Sequence, residues 1–377
     1  MNQPNVVVIS HRQRPDDDSR QPGYVGFIEA EDVLLASAGA DAVMVSHSPT
    51  HPRLRVRRLA GRLYRRATTS KAELPSLSTR LRSATTSDQL GDGRYDLAVL
   101  VAITVWDLPM IERLYELRRR ADQVAVWFPE VWPSELDDER LAREPFDMVD
   151  HIFVGVHSSA PRLSEILNRP VHYLPMAADV ARFAPLDPTE PRPIDVLGIG
   201  RREPELHQAL IDWSRRASKL YVYDTISGQV PDYQAHRENL ADTYRRSSIA
   251  ITNHAKFDHP DVGKLRELPG RLWEGLASGA VMVGRAPDPV LQEAWPGRPV
   301  VIDLPADTNA AVELIDDLHR GPVASIRGEN VTLALRRNDW GHRWRHVFDI
   351  AGLTVPTGLQ SRIDRLAQMA DTLDQPG

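Results

Sequence analysis

Not one cysteine occurs in the 377 residues of this chain. Disulfide staples, thiolate nucleophiles and cysteine-ligated zinc or iron–sulfur centres are excluded with it. No apolar run approaches the ~18 residues that a membrane-spanning helix needs. The amino terminus, "MNQPNVVVISHRQ", lacks the basic flank and the apolar length of a secretory signal, so a cytoplasmic location is expected. Excess positive charge is missing as well. The 46 Lys and Arg face 52 Asp and Glu, a net charge of −6, whereas a general nucleic-acid binder carries a basic footprint. No nucleic-acid partner is expected.

What is present is apolar material for two cores: 42% of a chain longer than one core usually serves. The β-branched and apolar runs "NVVVIS" (5–10), "DAVMVS" (41–46), "YDLAVLVAIT" (95–104) and "QVAVWF" (123–128) read as buried strands, with two shorter ones in "FDMVDHIFVGV" and "RPVHYLPM". Between them "FIEAEDVLLASAG", "MIERLYELRRRA" and "APRLSEILN" read as helices, the first ended by Gly39. Such alternation predicts a parallel sheet covered on both faces.

The segment "FAPLDPTEPRPID" (183–195) then carries four prolines, which remove backbone donors and forbid a helix or central strand. The alternation restarts beyond it with "DVLGIG", "PELHQALIDWSRRA", "KLYVYD", "HRENLADTYRRS", "IAITN", "RLWEGLA", "AVMVG" and "RPVVID". The expected fold class is therefore α/β: a Rossmann-like domain over 1–182, a linker over 183–195, a second Rossmann-like domain over 196–345 and a helical tail over 346–377. That tail, "GLQSRIDRLAQMADTL", is amphipathic and must pack on something.

One local asymmetry stands out. Residues 53–82 hold ten Lys and Arg, with Glu73 the only acid. A solvated helix face accounts for it; a phosphate-bearing acceptor or peripheral contact with an anionic membrane would also use it.

The stretch "RLWEGLASGAVMVG" (271–284) raises a chemical question. A helix preceded by Pro269 and Gly270 begins near Arg271, stops at Gly279 and feeds an apolar strand. Its open amino terminus, at the carboxyl edge of a parallel sheet, is suited to an anion. Arg271 offers a planar fork for phosphate oxygens. Glu274, read as lying in the first turn, either favours the helix dipole by a few tenths of a kcal/mol or accepts from a pair of ribose hydroxyls. Physics alone leaves both open.

"LPGRLWEGLASGAVMVG" resembles the donor-binding segment of the group 1 glycosyltransferases of the GT-B fold, and most of all their spore-maturation-protein-like branch. Three more stretches agree in order: "YLPMAADVARF" (173–183) resembles the family's crossing between domains, "VLGIGRR" (196–202) its first donor-domain strand and Gly-Arg turn, and "NDWGHRWRHVFDIAGL" (338–353) its closing helix. The resemblance implies two Rossmann-like domains facing each other across a cleft, with the C-terminal helix packing back. It implies Glu274 on the donor ribose, and Arg201, Gly200, Gly270 and Arg271 about the diphosphate. The first acid of the family's Glu–seven residues–Glu signature falls on Arg266, with Glu267 one residue closer. Its lysine after the Gly-Arg turn falls on Leu206, so that role would pass to Lys264 or Arg271.

In the first half, Gly23 and Gly26 of "QPGYVG" resemble the family's phosphate-approaching glycine loop. Glu130, in "AVWFPEVWPSEL", stands where the family places its cleft carboxylate; a cap for a helix beginning at Ser134 is the plain alternative. His11, at the end of the first strand, is a further cleft candidate. His157 precedes a helix for which Ser158 and Ser159 are candidate caps. The implied activity is glycosyl transfer from a nucleoside diphosphate sugar, UDP or GDP, without a cofactor or metal and with retention. The acceptor, a small metabolite or a phosphate-bearing molecule, would lie on the first domain. An epimerase of the same fold and a non-catalytic nucleotide-sugar-binding protein are the alternatives. A dinucleotide oxidoreductase is disfavoured, because Glu203 stands where the third glycine of Gly–x–Gly–x–x–Gly belongs.

Overall fold

The computed structural model describes residues 3–10, 25–44, 93–103, 118–136, 141, 146–223, 230, 232–292, 299–321 and 323–374. His11, Gly23, the loop 15–19 and the basic stretch 53–82 lie outside the described residues, as does most of "MIERLYELRRRA".

Strands β1 (Val6–Ser10), β2 (Asp41–Met44), β3 (Tyr95–Val101), β4 (Ala121–Phe128), β5 (His151–Val154) and β6 (His172–Tyr173) form one parallel sheet in the order β2-β1-β3-β4-β5-β6. Strands β7 (Ile194–Gly198), β8 (Tyr221–Tyr223), β9 (Ser247–Ile251), β10 (Val281–Gly284) and β11 (Val301–Asp303) form a second, ordered β11-β10-β9-β7-β8. Burial on both faces explains the near-continuous apolar runs: Leu97 to Val101 of β3 are all buried. In each sheet the first strand lies between its two successors, so the order reverses there and a crevice opens at the strand carboxyl ends. In the second sheet that point lies between β7 and β9.

Helices α1 (Val25–Ala38), α2 (Ser159–Leu167), α3 (Val180–Phe183), α4 (Pro204–Ala217), α5 (Tyr233–Arg245), α6 (Gly270–Ala277) and α7 (Pro289–Gln292) follow the alternation. Gly39 and Gly279 both take positive φ, +61° and +79°, the left-handed conformation that ends a helix at no steric cost. Three departures from the sequence pattern have simple causes. β4 starts at Ala121, because it pairs with β3 from Tyr95 onward. "FDMVDHIFVGV" supplies a single 3-10 turn, Phe146–Met148, before β5. The helices α8 (Thr308–Arg320) and α9 (Val323–Arg337) are additional; Asp307 caps α8 by accepting from the Ala310 amide at 2.8 Å.

The chain passes between the domains twice. Outbound it runs through 174–179; it returns at 338–340, where Ala178 and Asp339 form an isolated parallel bridge. Helix α10 (Trp340–Ile350) then packs on the first domain. Trp340 and Trp344 meet Trp127 edge-on, at 5.5 and 6.1 Å between ring centroids. The three indole N–H groups are satisfied by Glu29 Oε1, Ala30 O and Leu174 O respectively, as buried tryptophans require. Between the crossings, residues 184–193 carry no helix or strand; the Arg327 guanidinium ties them down through Pro188 O and Glu190 O.

Helix α11 (Thr357–Leu373) is where the amphipathic tail goes. Its Leu359 belongs to the first domain's core, with α1 and α10, while its Leu366 and Ala370 belong to the second domain's core. One helix thus clamps both domains. No helix among the described residues is long and apolar enough to cross a membrane. Leu359 is fully buried, so Leu359→Ala is expected to cost ~2–5 kcal/mol of unfolding free energy, whereas Arg365→Ala on the exposed face of α11 stays within about 0.5 kcal/mol. Denaturant titration of the two variants checks both.

Candidate active site

The turn after β7 and the first turn of α6 converge at the crevice of the second domain. Gly200 sits at φ +85°, and a Cβ there would fall 1.4 Å from Arg271 Nη1. The glycine therefore serves twice: it supplies a left-handed turn and lets the guanidinium lie flat on the backbone, where Arg271 Nη1 donates to Ile199 O at 2.5 Å. Arg201 stands beside it, half-exposed and 3.6 Å from Asp258. Gly270 is the exposed first residue of α6. Two guanidinium groups and a helix amino terminus thus share one edge of the switch point. Glu203 is engaged elsewhere, forked onto Arg285 at 2.9 and 2.7 Å. Leu206 is buried in the core with Leu210 and Trp213, so nothing on α4 at that position reaches the crevice.

Glu274 does not lie in the first turn. The helix begins at Gly270, which makes Glu274 its fifth residue, and the dipole account loses its force there. Its partner is Arg237 on α5, whose Nη1 donates to Glu274 Oε1. Arg237 is itself forked onto Glu29 of α1 through Nε (2.7 Å) and Nη2 (2.9 Å), and its guanidinium covers the Phe183 ring at 4.8 Å. Glu29 also accepts from the Asp179 amide (2.8 Å) and the Trp340 indole (3.1 Å). Burial pushes the Glu29 carboxyl upward, and Arg237 opposes it. Four donors converging on two oxygens are satisfied best by the carboxylate form.

The remaining sequence candidates separate. Glu267 is buried, and its carboxylate accepts from the amides of His157 (3.0 Å) and Ser158 (2.7 Å). It thereby caps α2 of the first domain from the second. Neither serine caps its own helix: Ser158 makes no side-chain cap bond and Ser159 Oγ donates to Val131 O at 2.7 Å. Arg266, at φ +49°, gives its guanidinium to Ala286 O, at 3.0 and 2.6 Å. Lys264 is exposed on the single turn Val262–Leu265. Gly26 lies in the first turn of α1, 3.5 Å from Met176 Cε when given a Cβ; Gly270 would meet the same methyl at 3.9 Å. The amino-terminal turns of α1 and α6 therefore face one methionine across the domain boundary.

Glu130 is free of the capping role. Glu135 takes it, accepting from the Trp132 amide at 3.1 Å. Glu130 stays solvent-exposed at the mouth of the cleft. The protein walls around it raise its pKa and Glu135 adds to the rise, while Lys256 and Arg201 pull it down. Those two cations come from the second domain. Lys256 Nζ lies 4.4 Å from the Trp132 ring centroid and Trp132, Val156 and Val262 form a small apolar contact between the domains. Among the described residues no cluster of His, Asp and Glu is grouped as a metal site.

No family model matches the chain, and neither does any curated protein sequence. Among solved structures it is similar to the α,α-trehalose-phosphate synthase (UDP-forming) of Burkholderia vietnamiensis, at 13% identity over 93% of this chain and 100% of that one, TM-score 0.52. It is similar also to the α,α-trehalose 6-phosphate synthase of Burkholderia multivorans (14% identity, 97% and 100% covered, TM-score 0.51). A third is the N-terminal domain of Candida albicans trehalose-6-phosphate phosphatase (9%, 93% and 97%, TM-score 0.51). The fold is GT-B. At these identities the likeness is one of architecture.

Arg237, Glu29 and Lys256 are the residues that sequence reasoning passed over. Glu29 gave one faint signal: it sits in a helix whose neighbours Phe27, Ala30, Val33 and Leu34 are all core. Gly200→Ala is expected to cost ~1–2 kcal/mol in left-handed strain alone and to dislodge Arg271. Gly328→Ala, in the open interior of α9 with no atom within 4 Å of the new methyl, is expected to stabilise by ~0.5–1 kcal/mol. Opposite shifts in thermal midpoint for the two glycines would bear this out; equal shifts would not.

Proposed function

We propose that the chain transfers a glycosyl group from a nucleoside diphosphate sugar, held by the second domain, to an acceptor held by the first. The observation that carries this reading is the seating of Arg271 on Gly200, next to Arg201 and the amino terminus of α6, at the switch point of a GT-B fold. When the bond between the sugar's anomeric carbon and the phosphate oxygen breaks, negative charge grows on the leaving diphosphate. Preoriented guanidinium groups and helix amides stabilise that charge without reorganising. Glu274 keeps Oε2 as an acceptor for the ribose hydroxyls while Oε1 holds Arg237.

Lys256, from the same domain as Leu206, supplies the cation that Leu206 does not. It and Arg201 flank Glu130, which then faces the acceptor as the cleft carboxylate. The donor is a UDP or GDP sugar, the transfer is metal-independent and retaining, and the branch is the spore-maturation-protein-like one; these finer points rest on the sequence resemblance. A non-catalytic binding protein is the second reading, favoured by one observation: the acid Glu267 is fully engaged by the amides of His157 and Ser158.

Thermal unfolding with UDP, GDP, ADP, dTDP, their sugar conjugates and NAD(P) tests the reading. A ligand at a hundred times its Kd adds ~2.7 kcal/mol, several degrees for domains of this size. We expect a shift with one nucleoside diphosphate and its sugar, weakened in Glu274→Ala and in Lys256→Ala. A response to NAD(P) alone would overturn the proposal, and nucleotide binding without release of sugar to any acceptor or water would favour the binding protein. The raised pKa of Glu130 carries a sign. Its base form is lost as pH falls through a value above the ordinary carboxylate range, so the acid limb of activity lies there and disappears in Glu130→Gln.

A further inference from the structure

We infer that Glu29, although it belongs to the other domain, is a positioning residue for nucleotide binding, acting on Glu274 through Arg237. The inference rests on the donor-site reading given above. The guanidinium of Arg237 is buried, as is Glu29, and Glu274 is nearly so, with side-chain exposures of 3, 3 and 12%. One cation is therefore shared by two carboxylates, and its five donors sit in a fixed plane. Two of them, on Nε and Nη2, are committed to the two oxygens of Glu29. Only Nη1 reaches Glu274, and it takes Oε1 alone.

That division matters because an arginine and a carboxylate prefer the fork-to-fork arrangement. With Glu29 in place the fork is already filled, so Glu274 receives a single hydrogen bond and retains Oε2 for the ligand. Without the Glu29 carboxylate, the fork turns to Glu274, the sole remaining acid on Arg237 among the described residues, and occupies both of its oxygens. The nucleotide then competes with a buried ion pair. Glu29 is in turn fixed by the Asp179 amide and the Trp340 indole, one from each chain crossing. Nucleotide affinity is thereby tied to the Glu29 carboxylate itself and not to how tightly α1 and α5 pack elsewhere. Tyr233 and Gln234, at the start of α5, make a separate contact with Asp32 of the same helix, which supplies a control.

The experiment is calorimetric titration of the full chain with UDP and with GDP, with thermal unfolding in parallel. Glu29→Gln is expected to weaken nucleotide binding about tenfold, equivalent to ~1.4 kcal/mol. In a Glu274→Ala background the same substitution is expected to change nothing further. Glu29→Asp, which keeps the charge but shortens its reach, gives a smaller loss in the same direction and serves if Glu29→Gln does not fold. Tyr233→Phe loosens the same helix pair without touching Arg237, and leaves the affinity as it is. Unchanged affinity in folded Glu29 variants, however far their melting temperature falls, would overturn the inference alone. A wild-type chain that binds neither nucleotide removes the donor-site reading and this inference together.

Discussion

A single buried carboxylate, Glu29, is the point at which both domains and both chain crossings meet. It receives Arg237 from α5, the Asp179 amide from the outbound crossing and the Trp340 indole from the return. Taking a carboxylate and a guanidinium out of water costs several kcal/mol apiece, which attraction repays only when every donor and lone pair is matched. At Glu29 four donors reach the two oxygens, three on Oε1 and one on Oε2, and a second node repeats the device. Asp339, wholly buried, accepts from the Val180 and Gly341 amides and from Arg362 of α11, which also reaches Asp179 at 2.6 Å. The two acids Asp179 and Asp339 face one Arg362 cation, whose charge they hold firmly. Such nodes add little net stability over an apolar cluster of similar volume; what they supply is hydrogen bonds that join the two domains and the two chain crossings.

The alternation of strands and helices was readable because parallel strands buried on both faces must be apolar throughout, and helices between them must not be. α4 begins and ends where its sequence pattern does, at Pro204 and Ala217. The partner of a helix is harder to read than the helix. α10 carries Trp340, Trp344, Val347 and Phe348 at helical spacing, but nothing in that spacing says that they fill the first domain's core. α9 is hard to read because its apolar positions are interrupted by polar and charged residues that are buried with partners, Arg327 and Asn330; α8 carries Ala311, Val312, Leu314, Ile315 and Leu318 at helical spacing and was legible but not read.

The site residues divide along the same line. The reading of Gly200 rests on the resemblance and that of Arg271 on its place at a helix start; that the two touch is seen only in the fold. Glu274 was legible as an acid near that turn and not as the partner of Arg237, thirty-seven positions earlier. Long-range ion pairs leave no periodicity. Glu267 shows the converse: its spacing from Glu274 suggested a ligand contact, and the fold gives its two oxygens to amides 109 and 110 residues away.

That placement bears on how the cleft works. The two domains touch at a mouth, through Glu267 on α2 and the small cluster of Trp132, Val156 and Val262, and at a root, through Glu29, Asp339 and α11. The mouth contact is made of one carboxylate on backbone amides and three buried apolar side chains, all of which water can replace at modest cost. The root contact is made of buried, multiply bonded charges, where losing one partner costs ~3–5 kcal/mol. The mouth is therefore the weaker contact and the root the stronger, so an opening of the cleft would part the mouth first and leave the Glu29–Arg237–Glu274 chain intact. Glu130 and Lys256, at the mouth on opposite domains, are the groups that separate. In the proposed reaction the donor pocket is thus preassembled at the root, and the acceptor side is completed only when the mouth closes and water is expelled.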